Sequence, residues 1–261
     1  MTRTVAFWHV YLTEDVGTWA GIVMEQLGVM ERSGLFVKLD ELNVTCIHRD
    51  WVQTQMFQGM LSSAFSSRKT FITFHSNPFN SDREMLENIS SPHAMTEAET
   101  LYWVWIHSQI HDSRILYFHT KGITADMRFL QRQNYEEHKK YFYWRQMLNW
   151  GCLDQWGVCL AALDDGYDIV GPNFQTDPHP HYSGGFYWTK SSHVKKLPNP
   201  TEVRWWHDLQ SNTKDVWLKS APERFRNEMW ITQTEDYNAL CLAQGIDNPA
   251  SKFVSTSEYW K

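Results

Sequence analysis

The stretch Arg114-Ile-Leu-Tyr-Phe-His-Thr-Lys-Gly122 decides the fold class. Ile115 to Phe118 form an apolar run without a polar break, the pattern of a buried strand, and the run then opens into a polar loop that closes on glycine. Upstream, residues 4–12 (TVAFWHVYL) are β-branched and aromatic and predict a first strand. Residues 18–32 place Trp19, Ile22, Val23, Gln26, Leu27 and Met30 on one helical stripe, which Ser33-Gly34 stops. Further strands are expected in residues 42–49 (LNVTCIHR) and 70–77 (TFITFHSN), with a helix between them. Residues 97–112 predict a helix with Leu101, Trp105 and Ile106 inward. Strands that alternate with helices of this length make a mostly parallel, twisted α/β sheet with flanking helices.

Downstream of the loop, residues 134–165 carry Tyr, Trp and Leu at helical spacing and read as one or two core helices ending at Gly166. YDIVGPN (167–173) is a strand with a Gly-Pro stop, and HYSGGFYW (181–188) is an aromatic strand interrupted by two glycines. Residues 222–245 are expected to form a helix that starts near Pro222 and closes at Gly245. A chain of 261 residues suits one domain over 1–261, with 1–125 and 126–261 as its two halves.

With 14 Trp, 14 Phe and 11 Tyr the chain has enough apolar area to exclude disorder over most of its length. Cys46, Cys152, Cys159 and Cys241 match neither a zinc motif nor a disulfide scaffold and are expected as buried thiols. No apolar run reaches the roughly 20 residues of a membrane span, and the N-terminus reads as a first strand rather than a signal peptide, so a cytoplasmic protein is expected. A net charge of -6 argues against a dedicated nucleic-acid binder, although Lys190, Lys195, Lys196, Arg204 and Lys214 are available for a local basic groove or a solvated face.

Ligands of open α/β sheets bind beyond the carboxyl ends of the strands, which directs attention to His9, His75 and the loop His119-Thr120-Lys121-Gly122. A Lys and a His two residues apart at such an end suit an anionic leaving group; a solvated turn is the plain alternative. Gly184 and Gly185, flanked by His181 and Ser183, mark either a close approach to the backbone or a β-bulge. Asp177, His179 and His181 lack a fourth ligand at a known metal spacing. Glu228, within RFRNEMW, is placed either to accept a proton or to complement a helix dipole. The phosphate-loop, dinucleotide, nucleophile-elbow and zincin motifs do not occur.

In order along the chain, AFWHVYL, W-x-x-I-V-x-E-Q-L from Trp19, E-x-x-T-L from Glu97, ILYFHTKG, WR-x-M from Trp144, YDIVGPN, HYSGGFYW and RFRNEMW resemble a family of glycosyltransferases of GT-A-like fold from bacteria, phages and large viruses. The resemblance implies a sugar transferred from a nucleotide donor, UDP-linked or similar, to an acceptor hydroxyl. Enzymes of GT-A fold hold Mn²⁺ or Mg²⁺ on an Asp-x-Asp motif; here His119-Thr120-Lys121 stands in its place, so Lys121 is expected to meet the leaving diphosphate and His119 to orient a phosphate or the sugar. Glu228 is the expected general base. Donor contacts are expected from His9, Tyr11, His75, Asn77, Thr120 and Gly122, and acceptor or sugar contacts from His181, Ser183, Gly184, Gly185, Trp188 and Trp230. The expected acceptor is a saccharide, a protein or, for a phage-encoded chain, a hydroxymethylated pyrimidine in DNA. A carbohydrate-binding module without catalysis is the competing class, and a sugar-nucleotide hydrolase a third.

Overall fold

The computed structural model describes residues 2–64, 70–76, 97–123, 135–221 and 224–243. The chain opens with β1 (Arg3–Tyr11), α1 (Val16–Arg32), a short α2 (Leu35–Lys38), β2 (Glu41–His48), α3 (Trp51–Ala64) and β3 (Thr70–Ser76). Then come α4 (Ala98–Ile110) and β4 (Ser113–His119), followed by α5 (Tyr135–Asn149) and α6 (Trp156–Asp164), which a π-helical turn at Trp150–Asp154 joins. The last third holds β5 (Ile169–Gly171), β6 (Phe174–Gln175), β7 (His181–Tyr182), β8 (Tyr187–Lys190), α7 (Ser191–Val194), α8 (Arg204–Asn212), α9 (Val216–Lys219), α10 (Arg224–Met229) and β9 (Ala239–Cys241).

Seven strands form one sheet in the order β3-β2-β1-β4-β8-β5-β9. Every pairing in it is parallel except the two that β8 makes, with β4 and with β5. The fold is α/β, with helices on both faces of a mostly parallel sheet, as the sequence predicts. Strand periodicity divides β1 between two cores. Ala6, Trp8 and Val10 pack with Trp19, Ile22, Val23, Leu27 and Met30 of α1 and Phe57 of α3, whereas Val5 and Phe7 pack with Leu101 and Val104 of α4. β4 divides in the same way, Leu116 and Phe118 against Ile115 and Tyr117. Each fully buried side chain of this kind contributes about 1.5–3 kcal/mol.

α1 buries the six residues of its predicted stripe, starts on Asp15, whose carboxylate accepts the Thr18 N–H at 2.7 Å, and is followed by Gly34 at φ 76°. On α4 the inward face differs from expectation: Leu101 and Val104 are fully buried, while Ile106 is only partly covered and Trp105 lies at the margin, its indole N–H on the Leu197 carbonyl. The expected helix over 222–245 is corrected. α10 passes into a 3-10 turn at Trp230–Thr232 and the chain then extends into β9. The reason is the open edge of β5: Asp168 N–H donates to Asn238 O at 2.8 Å and the Asp168 carboxylate accepts Asn238 N–H at 3.0 Å, so strand pairing overrides the helical spacing. Pro222 and Gly245 lie outside the described residues.

All four cysteines are free, and Cys46, Cys152 and Cys159 are buried. Among the described residues no helix is long and apolar enough to cross a membrane.

Candidate active site

The parallel register sets His9, two residues before the end of β1, beside His119, the last residue of β4. Beyond them the backbone of the His119-Thr120-Lys121-Gly122 loop is held from several sides. Thr120 N–H donates to His9 O at 3.1 Å, and Thr120 Oγ1 accepts the Tyr11 N–H at 3.2 Å. The Gln26 amide donates to His119 O at 2.8 Å, and Arg145 Nη1 donates to Lys121 O at 3.1 Å. Gln26 and Arg145 belong to one buried network: Trp8 Nε1 donates to Gln26 Oε1 at 3.0 Å, Asn149 Nδ2 to Glu25 Oε1 at 2.6 Å, and Arg145 Nε to Glu25 Oε2 at 3.2 Å. Gly122 sits at φ +89°, a conformation that favours glycine, and a Cβ there would displace Arg145 Nη1, 2.9 Å away.

Lys121 Nζ stands 3.4 Å from Glu228 Oε1 of α10 and 4.2 Å from the centre of the Trp144 ring. Burial alone would raise the Glu228 carboxyl, but the Lys121 charge, the Gly184 N–H, His181 and His119 outweigh it and hold the group below its usual range. Glu228 is therefore ionised at neutral pH. A second carboxylate faces it: Glu97, at the start of α4, has Oε1 at 3.2 Å from His119 Nδ1 and Oε2 at 3.3 Å from the Tyr117 hydroxyl, which donates to it. Burial, with the Glu228 charge adding to it, keeps Glu97 above its usual range against His9, Lys121 and the Tyr117 bond. Burial also lowers His119 to about 3 and His9 to about 4, so both imidazoles are neutral. His9 Nδ1 lies 2.9 Å from Thr100 Oγ1.

The turn between β7 and β8 closes the site from the other half of the chain. Gly184 and Gly185 take φ +93° and +71°, and His119 Nε2 donates to the Gly184 carbonyl at 2.7 Å. A Cβ at 185 would stand 3.5 Å from His119 Nε2 and 3.7 Å from Glu97 Oε2. His119, Lys121, Glu228, His9, Thr120, Gly122, Gly184 and Gly185 are thus brought together, and His181 lies near enough to bear on Glu228. Of the two nitrogens of His119, Nε2 is bonded to the Gly184 carbonyl and Nδ1 faces Glu97 Oε1.

The expectations for Trp188 and Trp230 are corrected, and the remaining positions lie as follows. Trp188 is fully buried, its indole N–H on Cys152 O at 2.9 Å, and Trp230 is fully buried with its N–H on Pro198 O at 2.8 Å, so both rings are core. The Tyr11 ring packs with the core, and its backbone N–H donates to Thr120 Oγ1. His75 faces Glu99 at 3.8 Å, on the flank of the cluster. Ser183 is tied through its backbone to Asn173. Asn77 lies outside the described residues. In the loop before β7, His179 Nε2 accepts from Gln233 and His181 Nδ1 faces the His179 carbonyl, and among the described residues no three His, Cys, Asp or Glu side chains form a metal-ligand set.

Sequence reasoning assigned no role to Glu97, Thr100, Trp144, Arg145, Glu25 or Gln26. Their signal was nonetheless present, since all six fall within E-x-x-T-L, WR-x-M and W-x-x-I-V-x-E-Q-L, the segments on which the resemblance rests.

The profile of the family described as Domain of unknown function (DUF8361) matches residues 7–239. The chain belongs to this family. The DUF8361 match runs from β1 into β9 and contains every member of the cluster above. No curated protein matches the chain. Among solved structures it is similar to the 4-diphosphocytidyl-2C-methyl-D-erythritol synthase from Anaerococcus prevotii DSM 20548, at 7% identity over 99% of this chain and 95% of that chain, with a TM-score of 0.34.

Proposed function

We propose that this protein is a glycosyltransferase that moves a sugar from a nucleotide-sugar donor to a hydroxyl of an acceptor saccharide. The observation that carries the reading is the convergence of one ionised and one elevated carboxylate, Glu228 and Glu97, on Lys121 at the carboxyl ends of β1 and β4. Sugar transfer at an anomeric carbon needs a group that takes the acceptor proton and a positive counterpart to the departing diphosphate. Glu228 is ionised and suits the first task. The Lys121 ammonium has three donors, of which Glu228 takes one, and suits the second.

In place of the divalent metal that enzymes of GT-A fold carry on the donor diphosphate, Lys121 brings a positive charge, and the described residues do not fit a metal: His119 Nε2 is bonded to Gly184 O, and Glu228 is engaged by Lys121 and the Gly184 N–H. No step is derived through a metal. Lys190, Lys195 and Arg204 stand near Asp168, Asp112 and Asp208, which lowers the local charge offered to a modified-DNA acceptor and favours a saccharide. Burial of Trp188 and Trp230 removes the two rings best placed for a sugar-binding platform.

The test is thermal stabilisation by UDP, GDP, TDP and CMP, each with Mn²⁺ and with EDTA. A ligand at about 100 times its dissociation constant adds roughly 2.7 kcal/mol. One nucleotide is expected to raise the melting temperature, to do so in EDTA as well, and to lose its effect in Lys121→Ala. No shift with any of the four sinks the reading.

A further inference from the structure

On one face of the sheet, α4 packs on Val5 and Phe7 of β1 through Leu101 and Val104. Beside it a cavity of about 360 Å³ opens over β2 and β3. Strand alternation sends Leu42, Val44 and Cys46 of β2 into the core on the opposite face, so Glu41, Asn43 and Thr45 turn to the cavity. The parallel register sets Phe71 of β3 level with Asn43, and Thr73 level with Thr45. Side chains so placed stand about 5 Å apart between strands and about 7 Å apart along them, the footprint of one pyranose ring. Trp103 of α4 forms a wall with 40% of its surface exposed, and Tyr102 meets its ring edge to face at 5.8 Å.

The polar part of the lining selects the guest. Glu41 is its one carboxylate, already engaged by Arg3 and by Asn43 Nδ2 at 2.8 Å, and the lining contains neither lysine nor arginine, so an anion finds no counter-charge. His107 adds none: burial lowers it to about 4, and its Nε2 lies 2.9 Å from Ser113 Oγ. Among the described residues the hydroxyls of Thr45 and Thr73 meet no partner, and Thr45 is 3% exposed, so its hydroxyl opens only on the cavity. An apolar chain seated there would leave that hydroxyl buried without a hydrogen bond, a cost that a hydroxyl-bearing guest avoids. The lining therefore suits a neutral guest with hydroxyls on its edge and C–H groups on its faces, the latter against an aromatic ring.

We propose that this cavity is a saccharide-binding site that seats one sugar unit stacked on Trp103, with its hydroxyls on Thr45, Thr73 and the amide oxygen of Asn43. The site is separate from the cluster at the strand ends. His9, bonded to Thr100 at 2.9 Å, lies level with Thr45, and the cavity runs from that row toward Ile110 and Glu41 at the start of β2. It goes beyond the transfer reading and does not depend on it, because a sugar can be held here whether or not one is transferred at Glu228 and Lys121. Exposed Phe71 carries the apolar surface past the edge of this unit, which suits an oligosaccharide better than a single sugar.

Saturation-transfer NMR and calorimetric titration with maltotriose, cellotriose, mannotriose and chitotriose test the site. At least one is expected to bind the wild type with a dissociation constant below about 10 mM, and to bind Trp103→Ala and Thr45→Val about tenfold more weakly or worse, while Lys121→Ala binds it unchanged. Valine copies the shape of threonine without its hydroxyl, so Thr45→Val carries the test even if Trp103→Ala fails to fold. No binding of any of the four overturns the proposal. Binding that Lys121→Ala abolishes and Trp103→Ala leaves intact puts the sugar at the strand ends and overturns it too. Decanoate bound in a Trp103-dependent way with no sugar bound, or a dimer in sedimentation that Phe71→Ser dissociates, gives the cavity another occupant and overturns it as well. Nucleotide stabilisation is read separately, so failure here leaves the transfer reading standing.

Discussion

Glu228 is 16% exposed on its side chain and bonded to Lys121, so its charge and its hydrogen bonds are separable by substitution. Glu228→Gln keeps an oxygen for the lysine and removes the proton acceptor. Transfer is expected to fall by about 10²–10⁴-fold, and the variant is expected to melt below the wild type at pH 7. The pH dependence has a fixed sign. A carboxyl lowered by folding contributes stability above the ordinary 4.5 of a free glutamate and loses it as pH falls through the folded value, so wild type and variant are expected to converge in stability below pH 4.5. Acid denaturation followed by circular dichroism checks this; parallel curves for the two proteins contradict it. His119 and Lys121 were legible because they are contiguous with a strand end, whereas Glu97 was not, because the pairing that gives it meaning is made across the fold from the start of a helix.

Among the elements, α1 does more than cover the sheet. Its buried stripe was legible in full from spacing, including Gln26, yet spacing alone says nothing of why a glutamine stands among Trp19, Leu27 and Met30. The answer is the loop: Gln26 receives the Trp8 indole N–H and holds His119 O. Gln26→Leu fits the same stripe and leaves a buried indole donor and a buried carbonyl with fewer partners. A loss of about 1–3 kcal/mol is expected in urea unfolding, together with a transfer rate that falls while Lys121 and Glu228 remain in place. An unchanged rate would show that the loop keeps its position without α1. The failed expectation over 222–245 belongs to the same scale. Helical spacing there was real enough for α10, but no local pattern announces that the chain must turn back to cover the edge of β5.

For the molecule as a whole, the sheet joins the two halves of the sequence. β4, from the first half, is covered on its outer edge by β8 from the second, and Trp8, Leu116 and Phe118 share one core with Cys159, Leu163 and Trp188. The site is divided in the same way, Glu97, His119 and Lys121 on one side and Gly184 and Glu228 on the other. Residues 1–125 expressed alone are therefore expected to be insoluble or unfolded, with β4 exposed as a bare apolar edge. A soluble fragment with a cooperative unfolding transition would show that the first half is an independent unit. The α/β class was legible from the alternation of strands and helices; the reversed direction of β8 was not, since a short aromatic strand looks the same read either way.

That reversal makes one stretch of the chain exchangeable. β5 and β8 are antiparallel neighbours, with Val170 opposite Trp188, so the backbone leaves the sheet after Gly171 and re-enters it at Tyr187 almost beside its point of departure. Everything between forms an excursion over the rim of the cleft, anchored at two adjacent posts. Its exposed part, Gln175 to Asp177, can be lengthened or recoded without shifting the register of any sheet strand, provided that Tyr182 and Phe186 stay in the core and the backbone at 184 is kept for His119 and Glu228. Diversification of what the cleft admits, by natural drift or by a library, has its cheapest route there.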